Sequence, residues 1–482
     1  MSTHRWALSA VLFVASGALS AETPAPLKPY VAEDAPVLVL EHVRVIDGAG
    51  SAPTEDQRIE IIDGKIARVI SARLRLAYPA GARVMNLTGK TVIPGIVGMH
   101  EHLFYPTPDV AADGQPMYGQ MTDSAPRLYL AGGVTTARTT GSLEPYTDLE
   151  IKKLIDAGRT PGPKLRITGP YLGDLRGLAP QLHMLTGPED AARMVDYWAD
   201  EGVTSFKAYM SITAEELKVA IEHAHARGLK ITGHLCVVGF REAAALGIDD
   251  LEHGIDTDTE FYPGRQPGVC ASHEARMDLA RNIDIDGAPV QDMIHDLVAH
   301  HVAITSTLAV LETDVPNRPP LQRLNRTQSA LTPAAWSSFL QVRSRIAEKN
   351  DPLRAIMFQK EMAFERSFVK AGGLLIAGCD PTGYGGVVPG YGDQRGLELL
   401  VEAGFTPIEA IQIATLNGAR FLGEDSAIGS IAVGKAADLI ILGGNPAQDI
   451  DEIEKVETVF KDGVGYDPVK LTQSVQGSVG LR

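Results

Sequence analysis

The sequence predicts an α/β fold: an eight-stranded (β/α)8 TIM-type barrel with a small composite β-sandwich domain built from both ends of the chain. Three observations carry this expectation. Short apolar strands alternate with amphipathic helical patterns from Val92 to Leu422. Two β-rich regions bracket that segment, each with too little apolar mass to fold alone. Residues able to carry chemistry fall at the carboxyl ends of separate strands, the face on which barrel enzymes place their sites. A doubly wound sheet is the rival, but eight strand–helix units favour closure.

The elements follow in order. His4 and Arg5 precede an apolar run from Trp6 to Leu19, and Ala18-Leu19-Ser20 ends in small side chains. Residues 1–21 therefore read as a signal peptide, too short for a membrane span, and imply an exported protein, with the bacterial periplasm as the expected compartment. Val37 to Leu40 and Val43 to Ile46 read as strands, then Arg58 to Ile62, with Asp63-Gly64 as a hairpin turn into Lys65 to Ile70. Residues 37–91 with 423–482, including the strands Ala437 to Leu442 and Val456 to Lys461, are expected to form the small domain, and 92–422 the barrel. The barrel strands are expected at Val92–Met99, Thr135–Thr139, Lys164–Thr168, Thr204–Tyr209, Lys230–His234, Asp250–His253, Ala303–Leu308 and Leu374–Cys379. Thr213 with Glu216 predicts a capped helix start. The stretches Ile255 to Ala299 and Ala309 to Gly373 are too long for ordinary connections and read as functional or lid-forming loops.

Composition narrows the function. The chain has 482 residues with 44 Lys+Arg against 60 Asp+Glu, a formal net charge of −16. That balance leaves no electrostatic footprint for nucleic acid and disfavours an anionic membrane surface once the leader is removed. Three cysteines give no disulfide framework, and buried inert thiols are expected for Cys236 and Cys379.

The chemistry begins at Met99-His100-Glu101-His102. Alternation in an extended strand points His100 and His102 to the same side and Glu101 to the other, making half of a site for a borderline cation such as Zn2+. A lone His-x-His is also an ordinary surface pair. His234, His253 and Asp380, however, each close a different strand. Lys207 lies inside the apolar strand Val203 to Tyr209, where an ammonium is expensive to bury. On spacing alone it is equally a lysine extending from a strand end or an amine that takes up CO2 to give a bridging carbamate. His223 and His225, separated by one residue on a helix, do not face one another and are set aside.

His100-x-His102, Lys207, His234, His253 and Asp380, in that order, resemble the amidohydrolase superfamily of metal-dependent hydrolases. Val134-Thr135-Thr136, Leu251-Glu252-His253-Gly254 and Gly429 to Leu439 resemble its imidazolonepropionase-like branch, which includes prolidase-like Xaa-Pro dipeptidases, carboxypeptidases and N-acyl amino acid hydrolases. The resemblance implies two Zn2+ per subunit, bridged by carbamylated Lys207 and held by His100, His102, His234, His253 and Asp380. It also implies a homo-oligomer. The implied reaction is hydrolysis of an amide in a small, dipeptide-like substrate by metal-activated hydroxide, with Asp380 as proton shuttle. The same site acting on a lactone, ester or cyclic imide is the alternative within enzymes, and a non-catalytic barrel scaffold the alternative outside them. The chain departs from the branch at Arg138-Thr139, Cys236 and Asp393 to Leu399, which puts specificity rather than hydrolysis in doubt. Candidate substrate contacts are His183, Tyr209, Tyr262 and Arg265.

Overall fold

The computed structural model describes residues 22–107, 117–173, 182–266 and 268–480, so the expected leader lies outside the described residues. The small domain starts from Val37–Val45, whose Leu38, Leu40, Val43 and Val45 point into a shared core. This strand pairs antiparallel with Thr54–Ile62, which returns as Lys65–Ser71. The turn between them, Asp63-Gly64, has φ of +48° and +76°, the doubly positive turn that matches the twist of a tight hairpin. From the far end of the chain, Leu439–Leu442 lies between Val456–Lys461 and Thr91–Pro94, antiparallel to both. Thr91–Pro94 in turn runs parallel to Val37–Val45. Strands from both ends of the chain thus share one sheet and one core, in which Ile59, Ile61, Leu439 and Ile441 meet.

The expected single strand Val92–Met99 is two strands. Thr91–Pro94 belongs to the small domain and Ile96–Glu101 is the first barrel strand. At Gly95 the chain changes partners: its N–H bonds Asp438 O, while the next N–H, of Ile96, bonds Gly133 O. The side chain of Thr135 fills the space where a Cβ at Gly95 would sit. Both halves are buried, in different sheets, so the apolar run is continuous and periodicity alone does not divide it.

Seven further barrel strands follow: Val134–Thr139, Lys164–Arg166 continued by Thr168–Leu172, Ser205–Ala208, Lys230–Gly233, Asp250–Glu252, Ala303–Ser306 and Leu375–Ala377. Each is parallel to the next, and the third changes partner at Ile167, its first half pairing backwards and its second half forwards. The eighth strand closes on the first where Asp380 N–H donates to His100 O at 2.9 Å. The backbones approach so closely there that a Cβ added at Gly378 would overlap the His100 nitrogen.

The two long stretches are helical rather than loops. The first carries His273–Asn282 and Ala288–Ala299, the second Leu321–Gln328, Pro333–Lys349 and Pro352–Lys370. Phe358, Met362, Phe364 and Phe368 of the last helix are buried in the main core, so it is an outer-layer helix of the barrel. The capped helix opened by Thr213 spans Ala214–Ala226, with the reciprocal Thr213–Glu216 bonds in place. Among the described residues no helix is long and apolar enough to cross a membrane. Cys236 is not an inert thiol: it is bonded to Cys270, while Cys379 is free and buried. The pairing joins the end of the fifth strand to a segment 34 residues away, a proximity that only the folded path of the first insertion creates.

Substituting Gly378 by Ala forces the first and eighth strands apart. It is expected to cost about 2–3 kcal/mol, the scale of overpacking in a tight core. Thermal unfolding checks this, and an unchanged Tm would mean that the seam is looser than described.

Candidate metal centre

The carboxyl ends of the strands bring six of the singled-out side chains together. His100 and His102 come from the first strand, Lys207 from the fourth, and His234, His253 and Asp380 follow the fifth, sixth and eighth. All six line one cavity of about 240 Å3. Ligand atoms of His100, His253 and Asp380 lie within 4.8 Å of one another. The Nε2 of His100 is 3.3 Å from Lys207 Nζ and 3.6 Å from Asp380 Oδ2. The Nε2 of His102 is 3.3 Å from Asp380 Oδ1, and the His234 ring centre is 4.5 Å from that of His253. Two of these residues leave extended geometry to point inward: His253 has φ +68° and Asp380 φ +49°. Left-handed backbone at non-glycine residues costs on the order of 1–3 kcal/mol and concentrates at functional sites.

Burial sets the charge states. It lowers His100 to about 4 and His234 to about 3, with the nearby Lys207 adding to both, and it holds His253 well below its usual range. Burial likewise lowers Lys207, which is 1% exposed. On Asp380 burial pulls upward, but the facing His100, His102 and His253 outweigh it and keep the carboxylate ionised. The outcome is three neutral imidazoles, one anion and an amine pushed towards neutrality.

A layer beneath the cavity orients these groups. Glu252 Oε2 pairs with His100 Nδ1 at 2.7 Å, which directs His100 Nε2 to the cavity. The same Glu252 accepts from Arg138 Nη2 at 3.1 Å, as does Asp250. Thr305 Oγ1 also donates to Asp250, and Arg138 Nε donates to Met99 O. Thr307 Oγ1 lies 2.7 Å from His253 Nδ1. Burial lifts Asp250 to about 8, while Lys207, His100 and Arg138 together overcome burial and keep Glu252 ionised.

The donor set fits a borderline divalent cation: neutral imidazole nitrogens, an ionised carboxylate, and in His102 Nδ1 a buried nitrogen with no protein partner. Glu101 faces the other way, as alternation requires. It forms with Cys379 and Asp393 a separate buried cluster, in which Cys379 N–H donates to Glu101 Oε1 at 3.2 Å. Burial raises both carboxyls there, so the cluster is a hydrogen-bonded tie between the first and eighth strands.

Of the candidate substrate contacts, Tyr209 lines the cavity with its ring 4.8 Å from that of His234. His183 is bonded to Asp190 at 2.8 Å and is half exposed. Arg265 donates to Val237 O, and Tyr262 borders a different depression, beside Phe261 and Pro263. Neither is among the side chains lining the cavity. Sequence reasoning missed Glu252, Arg138, Thr307 and the cavity-lining Tyr118, Tyr171 and Arg276. For Glu252 a signal existed: an acid beside a strand-end histidine. Strict alternation hides it, because the left-handed turn at His253 lets neighbouring side chains serve one site.

Residues 366–465 match the Amidohydrolase family. Over 427 residues the chain is 25% identical to a dihydroorotase of Anaeromyxobacter dehalogenans (strain 2CP-C), spanning 84% of this chain and 88% of that one. Its fold is similar to that of a Xaa-Pro dipeptidase solved with methionine in the active site, with a TM-score of 0.66 and 20% identity over 89% of this chain and 100% of the other. It is also similar to bottromycin amidohydrolase, with a TM-score of 0.67 and 20% identity over 94% and 92% of the two chains. The barrel with its additional β domain is the architecture shared.

Two outcomes follow from the geometry. Glu252→Gln removes the charge that orients His100 and should weaken binding of added Zn2+ by about 10–100-fold; chelator competition measures this, and unaltered affinity would contradict the orienting role. The metal-free protein should lose stability as pH falls from about 6.5 through about 4. The unfolded chain protonates at His100 first, worth roughly 3 kcal/mol from that residue alone. Unfolding midpoints independent of pH across this window would show that these imidazoles are not buried neutral.

Proposed function

We infer, from the match of residues 366–465 to the Amidohydrolase family together with the geometry of the centre, that this chain is a metal-dependent hydrolase of carbon–nitrogen bonds whose substrate is a dipeptide or an N-acyl amino acid. The observation that carries this reading is the cluster itself: neutral imidazoles, one ionised carboxylate and a buried lysine at the strand ends, lining one cavity. Two divalent ions, zinc in our reading, would be held by His100, His102, His234, His253, Asp380 and Lys207, the last as a carbamate. Burial supports the carbamate. A neutral amine adds to CO2, forming an N–C bond and releasing a proton, and leaves a two-oxygen anion in place of a cation. When bound, the metals supply Lewis acidity and a water acidified towards neutrality.

The chain's own residues do the rest. Asp380 starts ionised, as a proton acceptor must, and Thr382 Oγ1 donates to its Oδ1 at 2.7 Å, fixing the carboxylate plane. It takes the proton of the attacking water and gives it to the departing nitrogen, without which an amine is a poor leaving group. Phe104, Tyr118, Tyr171 and Tyr209 form an aromatic wall of the cavity against which the substrate packs. The likeness to a dihydroorotase favours, as a second reading, a cyclic amide opened at the same centre. The Cys236–Cys270 bond supports export to an oxidising compartment such as the periplasm.

Asp380→Asn should reduce kcat on dipeptides and N-acyl amino acids by about 10²–10⁴-fold while the variant keeps its fold. Steady-state assays of the zinc-loaded protein, with a cyclic imide run alongside, test this. Full activity in the variant would remove the proton shuttle, and turnover of the imide alone would select the second reading.

A further inference from the structure

One cation in the cavity is not explained by the centre. Arg276, on the helix His273–Asn282 of the first insertion, lines the same cavity as His234, Tyr209 and Asp380. It is near enough for its charge to act on both Tyr209 and His234. Its Nε is buried without a hydrogen-bond partner, and its side chain forms no ion pair among the described residues. The other guanidiniums near the centre are committed: Arg138 to Asp250 and Glu252, Arg265 to Val237 O and Glu242. Asp256, which also lines the cavity, is near enough to feel this charge but forms no ion pair with it, so the guanidinium remains available to an anionic ligand.

We propose that Arg276 is the specificity-determining residue of this cavity and binds the free α-carboxylate of the substrate's C-terminal amino acid, restricting the enzyme to cleavage at the carboxyl end. The inference rests on the hydrolase reading above and adds to it the part of the substrate that is recognised. A planar guanidinium meets a carboxylate with two parallel hydrogen bonds, a match that neither an amide nor an alcohol offers. The aromatic wall of Phe104, Tyr118, Tyr171 and Tyr209 offers the substrate's side chain an apolar surface in the same cavity. The helix carrying Arg276 is anchored at its base, since Cys270, just before its Ser272 cap, is bonded to Cys236, close after His234. The anchor couples the position of the anion site to the centre.

The test uses two probes that contain no scissile bond, 3-phenylpropionate and 3-phenylpropanol, titrated calorimetrically into the zinc-loaded protein. The wild type should bind the acid at least about tenfold more tightly than the alcohol, the scale of one charge-assisted pair. R276Q should bring the ratio close to one, and R276K, which keeps the charge but loses the fork, should fall between. In turnover of N-acyl amino acids, R276Q should raise KM with kcat little changed. A ratio unaltered in both variants, as results if the metal centre itself takes the carboxylate, overturns the proposal, and so does a wild type that does not discriminate. Because binding is read without catalysis, an Arg276-dependent preference in a protein that hydrolyses no amide supports the carboxylate site and counts against the hydrolase reading alone.

Discussion

The centre depends on burying one guanidinium between two carboxylates. Arg138 is 1% exposed and reaches Glu252, Asp250 and the Met99 carbonyl, bridging the first and sixth strands across the barrel interior. An ion pair this deep gains little net stability over an apolar core, but removing either partner leaves an uncompensated charge and costs several kcal/mol. Its use is positional. With Arg138 in place Glu252 stays ionised, Glu252 fixes the ring of His100, and His100 offers one nitrogen to the cavity. Asp250, driven up to about 8 by burial, adds a hydrogen-bonding group without a second full negative charge at neutral pH.

The barrel supplies the geometry around that interaction. Parallel strands end together, so side chains from five of them converge at one rim. The seam between the last and first strands is especially tight: Asp380 N–H bonds His100 O, and only glycine fits at 378. Asp380 and the first pair of histidines are thus fixed by the same backbone contact. Around the rim, the insertion after the sixth strand brings Arg276 over the cavity and is tied down by the Cys236–Cys270 bond. Among the described residues, none of the side chains lining the cavity comes from the small domain, which joins both ends of the chain beside the start of the first barrel strand.

Much of this was legible in the amino-acid order, for physical reasons that also explain the gaps. His100, His102, His234 and Asp380 stand out because a polar residue closing an apolar strand has few structural uses. Lys207 stands out because a charge inside such a strand must be paired or lost. Glu252 escaped because the left-handed residue after it breaks the alternation on which facing was judged. Arg138, next to Thr139 in a strand rich in threonine, has no local feature separating a buried arginine from an exposed one; its carboxylate partners are more than one hundred residues away. Cys270, Tyr262, Arg265 and Arg276 share one insertion, where neither period nor spacing says which side chain turns inward. The helices hidden in the two long stretches were missed because polar faces and short breaks there obscured the period.

The most direct measurement is the metal content of the protein purified without chelators, read by plasma mass spectrometry for the wild type and for Lys207→Ala. About two divalent ions per chain are expected, with zinc predominant, and about one in the variant, since alanine cannot supply the ligand oxygens that a carbamate at Lys207 would. Well under one tightly bound ion in the wild type would contradict it, and so would a variant with undiminished content.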